Sequence, residues 1–198
     1  MRFSSIMTSI LLFCFFLTTP IFAGDIVGKV NAKLTKYQKD VVVYIDKIPG
    51  AKFEVPSEPA VMDQKNLTFI PRVLPVLVGT QVDFLNSDNV LHNVFSPDKA
   101  ADKVNLGTYP KDEVRSKVFD KPGAAVLLCN VHPEMEAYIV IVETPYFSVT
   151  DEAGDFVIKD IPPGTYTLQL WSEKYRAKPH EINVPPSGTT EVEFELTK

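Results

Sequence analysis

The sequence predicts an all-β protein organised as two β-sandwiches. Short runs rich in Val, Ile, Phe, Tyr and Thr recur between clusters of Gly, Pro, Asn and Asp. Sixteen prolines leave little room for long helices. The strand-like runs fall into two compositional blocks, roughly 59–142 and 146–198, and many short strands with regular turn signals indicate sandwiches or barrels.

The first 23 residues, MRFSSIMTSILLFCFFLTTPIFA, carry one charge, Arg2, ahead of an apolar run from Ile6 to Leu17, then Pro20 and the small Ala23. That layout predicts a secretory signal peptide cut after Ala23. The run is shorter than the roughly 20 apolar residues a membrane span needs. Phe13, before Cys14, is not the small residue that lipoprotein processing favours. Removal of this leader leaves 175 residues and takes the formal charge from −5 to −6, because only Arg2 is lost. A mildly acidic chain has no electrostatic footprint for nucleic acid, and no later segment could span a bilayer.

GDIVGKVNAKLTKYQKDVVVYIDKI (24–48) predicts two strands with no partner of their own. In the middle block, VLVGTQVDFLN (76–86), HNVFS (92–96), VRSKVF (114–119), AAVLL (124–128) and AYIVIV (137–142) read as strands. PDKAADKVNLGTYPKDE (97–113) reads as a surface loop with room for a helical turn. The last 53 residues hold about five strands, thin for an independent core. Pairing 24–53 with 146–198 would give one seven-stranded sandwich with 59–142 inserted. The alternative is a tandem of 24–142 and 146–198.

The chemistry concentrates in CNVHPEM, residues 129–135. Cys129 is the one cysteine beyond the leader, so it has no internal disulfide partner. Two imidazoles and a thiolate near a plane, with a weak axial thioether, are the ligand set of copper electron-transfer sites. A tight loop lets Cys129, His132 and Met135 turn toward one point, and a second imidazole must then come from a separate strand end. His92, which opens the strand-like HNVFS after a polar turn, fits that need. Zinc rarely takes Met, and structural zinc sites carry more thiolates, so copper is favoured. His180 stands apart in the last block and is not expected to ligate, while Met62 reads as packing.

GTQVDFLNSDNVLHNVFS followed by KPGAAVLLCNVHPEM resembles the cupredoxins, the small blue copper proteins of plastocyanin and amicyanin type. The resemblance covers roughly 59–142 and implies a Greek-key sandwich with His92, Cys129, His132 and Met135 as ligands of one type 1 copper ion. It also implies that Asn93 hydrogen-bonds across to the ligand loop and that Asn130 offers its backbone N–H to the cysteine sulfur. The chain departs from the family at Leu127 and Leu128, where an aromatic residue often precedes the cysteine, and at Glu134, a charge in a loop usually kept apolar.

VTDEAGDFVIKDIPPGTYTLQLW resembles carboxypeptidase regulatory-like modules, which are smaller prealbumin-like (transthyretin-type) sandwiches, through Asp151, Gly154, Phe156, Pro163, Gly164, Tyr166 and Leu168. Phe156 and Ile158, then Tyr166, Leu168 and Leu170, alternate at the period of a half-buried strand. The Asp151, Glu152 and Asp155 carboxylates sit in a short hairpin and read as a solvated turn rather than a calcium loop. Asn66-Leu67-Thr68 fits the N-glycosylation pattern.

These readings converge on an exported, periplasmic or extracellular one-electron carrier. A transient redox protein would dock near His132. Copper binding or delivery without redox turnover is the alternative. Enzyme activity is not expected, since three histidines are too few for an oxygen-reducing copper cluster and no Ser-His-Asp or paired-carboxylate constellation is present.

Overall fold

The computed structural model describes residues 23–198, so the signal-peptide reading and Cys14 lie outside the described residues, Ala23 apart. The chain runs β1 (Gly24–Asn31), β2 (Val42–Ile45), β3 (Ala60–Gln64), β4 (Phe69–Ile70), β5 (Val73–Leu77), β6 (Thr80–Asn86), β7 (His92–Phe95) and β8 (Asn105–Tyr109). It continues through β9 (Val114–Phe119), β10 (Gly123–Leu128), β11 (Glu136–Val142), β12 (Phe147–Val149), β13 (Asp155–Ile161), β14 (Gly164–Trp171), β15 (His180–Val184) and β16 (Thr189–Glu195). Two single-turn 3-10 segments, Thr35–Tyr37 and Lys99–Ala101, interrupt the strands. The all-β, two-sandwich expectation holds.

Two local expectations are corrected. The run 76–86 is two strands, broken at Gly79, which takes φ +91°. The stretch 97–113 is not simply a surface loop: it holds a 3-10 turn and β8, with Ala101 and Tyr109 fully buried. Asn105 and Gly107 conceal the strand, because both are turn formers; here the Asn105 side-chain oxygen accepts the Gly107 N–H (3.0 Å).

In the middle sandwich a sheet ordered β5-β11-β10-β7-β8 packs on one ordered β4-β3-β6-β9. β6 shows the logic: Val82, Phe84 and Asn86 point inward while Gln81 is exposed. Phe84 and Phe119 from one sheet meet Val94, Leu127 and Ile139 from the other in a shared core. β5 pairs parallel with β11, and β3 with β6, so the chain must cross between sheets, as a Greek key requires. β5 lies at a sheet edge, where Pro75 can be accommodated.

The outer sandwich pairs a sheet ordered β13-β1-β16 with one ordered β12-β2-β14-β15 around Ile26, Ile45, Phe156, Ile161, Leu168 and Phe194. β1 runs antiparallel to β13 and parallel to β16. Gly28 permits that packing, since a Cβ there would lie 2.0 Å from the Val192 carbonyl oxygen and 2.6 Å from the Phe156 ring.

A third apolar layer joins the two sandwiches. Val42, Val73, Val140 and Val142 are buried there beside Tyr138, Phe147 and Trp171. At one margin Arg72 pairs with Glu173 (2.5 Å) and also reaches Glu136 (3.5 Å).

Candidate metal centre

β10 and β11 form a hairpin whose ends, Leu128 and Glu136, face each other, so residues 129–135 must return within a few ångströms of where they left. The loop closes by a turn in which the Met135 N–H donates to the His132 carbonyl (3.0 Å). On its other side β10 pairs antiparallel with β7, Leu128 opposite Phe95. Antiparallel pairing therefore brings the first residue of β7, His92, to the end of the sheet where β10 delivers Cys129.

The donor atoms converge. Ligand atoms of His92, Cys129 and His132 lie within 4.8 Å of one another, the one such cluster of three or more His, Cys, Asp or Glu among the described residues. The Nδ1 atoms of His92 and His132 are 3.1 Å apart, with rings inclined at 64°. Two nitrogens each about 2 Å from a shared ion, at an angle of roughly 100°, would stand about 3 Å apart. The two imidazole nitrogens thus fit one ion, and the Cys129 sulfur stands beside them. Met135 is buried in the same core cluster as Cys129, and His180 lies instead against Phe194 (4.5 Å). Cys129, His92 and Met135 are all buried, whereas His132 is partly exposed.

Asn93 ties the loop to the strands. Its backbone N–H donates to the Cys129 sulfur (3.4 Å), and its Oδ1 accepts the Asn130 N–H (3.4 Å). Its Nδ2 donates to Asn105 Oδ1 and to the Gly107 carbonyl, both at 2.9 Å. The structure corrects one detail here: the N–H that reaches the sulfur is Asn93's, because the Asn130 N–H is directed to the Asn93 side chain.

Sequence reasoning missed Asp88. Its Oδ2 accepts from His92 Nε2 (2.9 Å), and its two oxygens accept the backbone N–H groups of Asn66 (2.7 Å) and Leu67 (2.9 Å). Burial pushes the Asp88 carboxyl upward, but the Leu67 and Asn66 N–H groups and the His92 ring outweigh it and hold the group below the ordinary carboxylate range. A neutral imidazole that gives its Nε2–H to a carboxylate keeps a free lone pair on Nδ1, the atom facing the cluster. The available signal was an Asp four residues before the His, but N-S-D-N reads equally well as turn chemistry.

Residues 114–197 match the carboxypeptidase regulatory-like domain. No curated protein matches the sequence. Solved structures are similar over parts of the chain. A reduced amicyanin variant is 26% identical over 44% of this chain and 86% of its own, with a TM-score of 0.40. A copper-containing nitrite reductase from Thermus scotoductus SA-01 is 27% identical over 50% of this chain but 25% of its own, with a TM-score of 0.42. A purple cupredoxin from Nitrosopumilus maritimus is 22% identical over 41% of this chain and 98% of its own, at 0.38.

The regulatory-like match opens at β9, inside the middle sandwich, and continues through β12–β16 of the outer one. In the outer sandwich the DEAGD carboxylates are all engaged. Asp151 Oδ1 accepts the N–H groups of Ala153 (2.8 Å) and Asp155 (2.9 Å), Glu152 pairs with Lys39, and Asp155 with Lys29. Among the described residues no helix is long and apolar enough to cross a membrane.

Proposed function

We propose that the chain is an exported type 1 copper protein that carries one electron at a time between redox partners. The observation that carries this reading is the convergence of His92, Cys129 and His132, drawn from β7 and the β10–β11 loop, on one point. Copper bound there supplies a one-electron Cu(II)/Cu(I) couple. Cys129 would supply the thiolate, His92 and His132 the imidazoles, and Met135 a weakly held thioether. Asn93 and Asn130 brace the loop so that these side chains keep one arrangement in both oxidation states. Burial of three of the four keeps water from the donors, and His132 offers the one solvent-facing edge of the set. A partner would dock there through a small, transient interface.

The same reading takes 59–142 as a copper domain inserted into a regulatory-like sandwich formed by 24–53 and 146–198, with export through a leader ending at Ala23 to the periplasm or cell exterior. Support for the insertion comes from the sheets, since β1 and β2 pair with β12–β16 rather than with β3–β11.

Absorption and electron paramagnetic resonance spectra of the copper-loaded chain from Gly24 test the function. An intense thiolate-to-copper band with reversible reduction is expected. Cys129→Ser should abolish that band, and Met135→Leu should shift the reduction potential while sparing most copper binding. A colourless protein that binds Cu(I) and yields it readily to a chelator would replace electron transfer with copper delivery.

A further inference from the structure

We propose that Asp88 is a positioning residue for the metal centre: its carboxylate clamps the Asn66–Leu67 turn to the His92 ring, fixes that ring as its Nε2–H tautomer, and adds a negative charge that favours the oxidised metal. This rests on the copper reading for its redox half only.

Asn66 and Leu67 both adopt left-handed conformations, each with φ +56°, at the tip of the β3–β4 hairpin. Asn tolerates that region and Leu rarely adopts it; the two-residue hairpin loop calls for it at both positions, and contacts to the loop hold it there. Asp88 supplies such contacts: its Oδ1 takes the Asn66 N–H and its Oδ2 takes the Leu67 N–H. The same Oδ2 meets His92 Nε2. One oxygen atom is therefore shared between the turn and the ring, and neither can shift without the other.

Asp88 is itself set in place before any ligand arrives. Its N–H donates to Asn86 Oδ1 (2.9 Å), and the Asn86 Nδ2 donates to the carbonyls of Val90 (2.9 Å) and Tyr109 (3.1 Å). Tyr109 is the backbone partner of His92 across β7 and β8. The loop 86–90 is thus tied to β8 at the residue that faces His92. A backbone carbonyl would suffice to orient an imidazole. A carboxylate adds charge to the hydrogen bond, and the His92 ring it contacts is fully buried, where that charge is poorly screened.

Two substitutions separate geometry from charge. Asp88→Asn keeps one oxygen that can accept from His92 and the Leu67 N–H, while it removes the charge and the acceptor of the Asn66 N–H; Asp88→Ala removes every one of these. In the metal-free chain from Gly24, nitrogen NMR should find the His92 proton on Nε2 and protected from exchange. The Asn variant should retain it and the Ala variant lose it. In the copper-loaded protein, Asp88→Asn should shift the Cu(II)/Cu(I) equilibrium about tenfold toward the reduced form, which is about 59 mV for one electron. Asp88→Ala should also weaken copper binding about 10- to 100-fold.

The positioning claim is overturned if metal-free His92 carries its proton on Nδ1, or if Asp88→Ala leaves the Nε2 proton protected. The charge claim is overturned if the blue Asn variant keeps the parent potential. A parent protein without a thiolate-to-copper band defeats the copper reading and the charge claim, and leaves the tautomer result to decide the positioning claim.

Discussion

Asn93 serves three neighbours from one residue: its N–H faces the Cys129 sulfur, its Oδ1 takes the Asn130 N–H, and its Nδ2 holds β8 at Asn105 and Gly107. Replacing it by Ala removes the side-chain links and leaves the backbone contact to sulfur. The ligand loop then loses its brace to β7 but keeps its turn at His132–Met135. Outer contacts of this kind typically change metal affinity 10- to 100-fold. Asn93→Ala should therefore weaken copper binding within that range while leaving the fold intact, as read by chelator competition alongside circular dichroism. A variant with parent affinity would show that the hairpin geometry alone holds the loop.

At the scale of elements, β2 and β11 separate what is legible in the sequence from what is not. Their near-continuous apolar runs, VVVYI and AYIVIV, announce strands covered on both faces. In the structure Val43 and Ile45 enter the outer core while Val42 enters the joining layer; Ile139 and Ile141 enter the middle core while Val140 and Val142 enter that layer. The pattern shows that both faces are buried, but cannot say against what. The ligand loop is legible for a different reason, because Cys129, His132 and Met135 are close in sequence and chemically unusual together. Asp88 is not, since its value lies in contacts to residues 66 and 67, some twenty positions earlier, that only the folded chain creates. β8 is hidden because Asn105 and Gly107 carry turn chemistry within a strand. The joining layer yields its own prediction. Val140 is 3% exposed among apolar neighbours, so Val140→Asp would bury a carboxylate without a partner. A loss of at least about 3 kcal/mol in chemical denaturation is expected, against about 1 kcal/mol for Val140→Ala.

Across the whole molecule, Arg72 is the electrostatic link between the sandwiches. It bridges Glu136, the residue after Met135, to Glu173, beyond the end of β14, and lies 5.4 Å from the centre of the Tyr138 ring, which itself packs on Trp171 at 5.0 Å. Burial pushes the Glu173 carboxyl upward, but hydrogen bonds from Arg72 and Lys174 outweigh this and lower it below its ordinary 4.5. A lowered carboxylate contributes stability that is present above the unfolded value and is lost as pH falls through the folded one. Arg72 stays charged throughout, so only protonation of Glu173 breaks the pair. The arginine is 41% exposed, which limits the pair to about 1 kcal/mol or less. Glu173→Gln should therefore lower stability by up to that amount at pH 7, and the parent protein should converge on the variant as pH falls through the lowered Glu173 value. Thermal unfolding of the metal-free proteins across pH 3 to 7 measures both curves. A constant gap between them down to pH 3 would mean that Glu173 acts by packing beside Arg72, not through its charge.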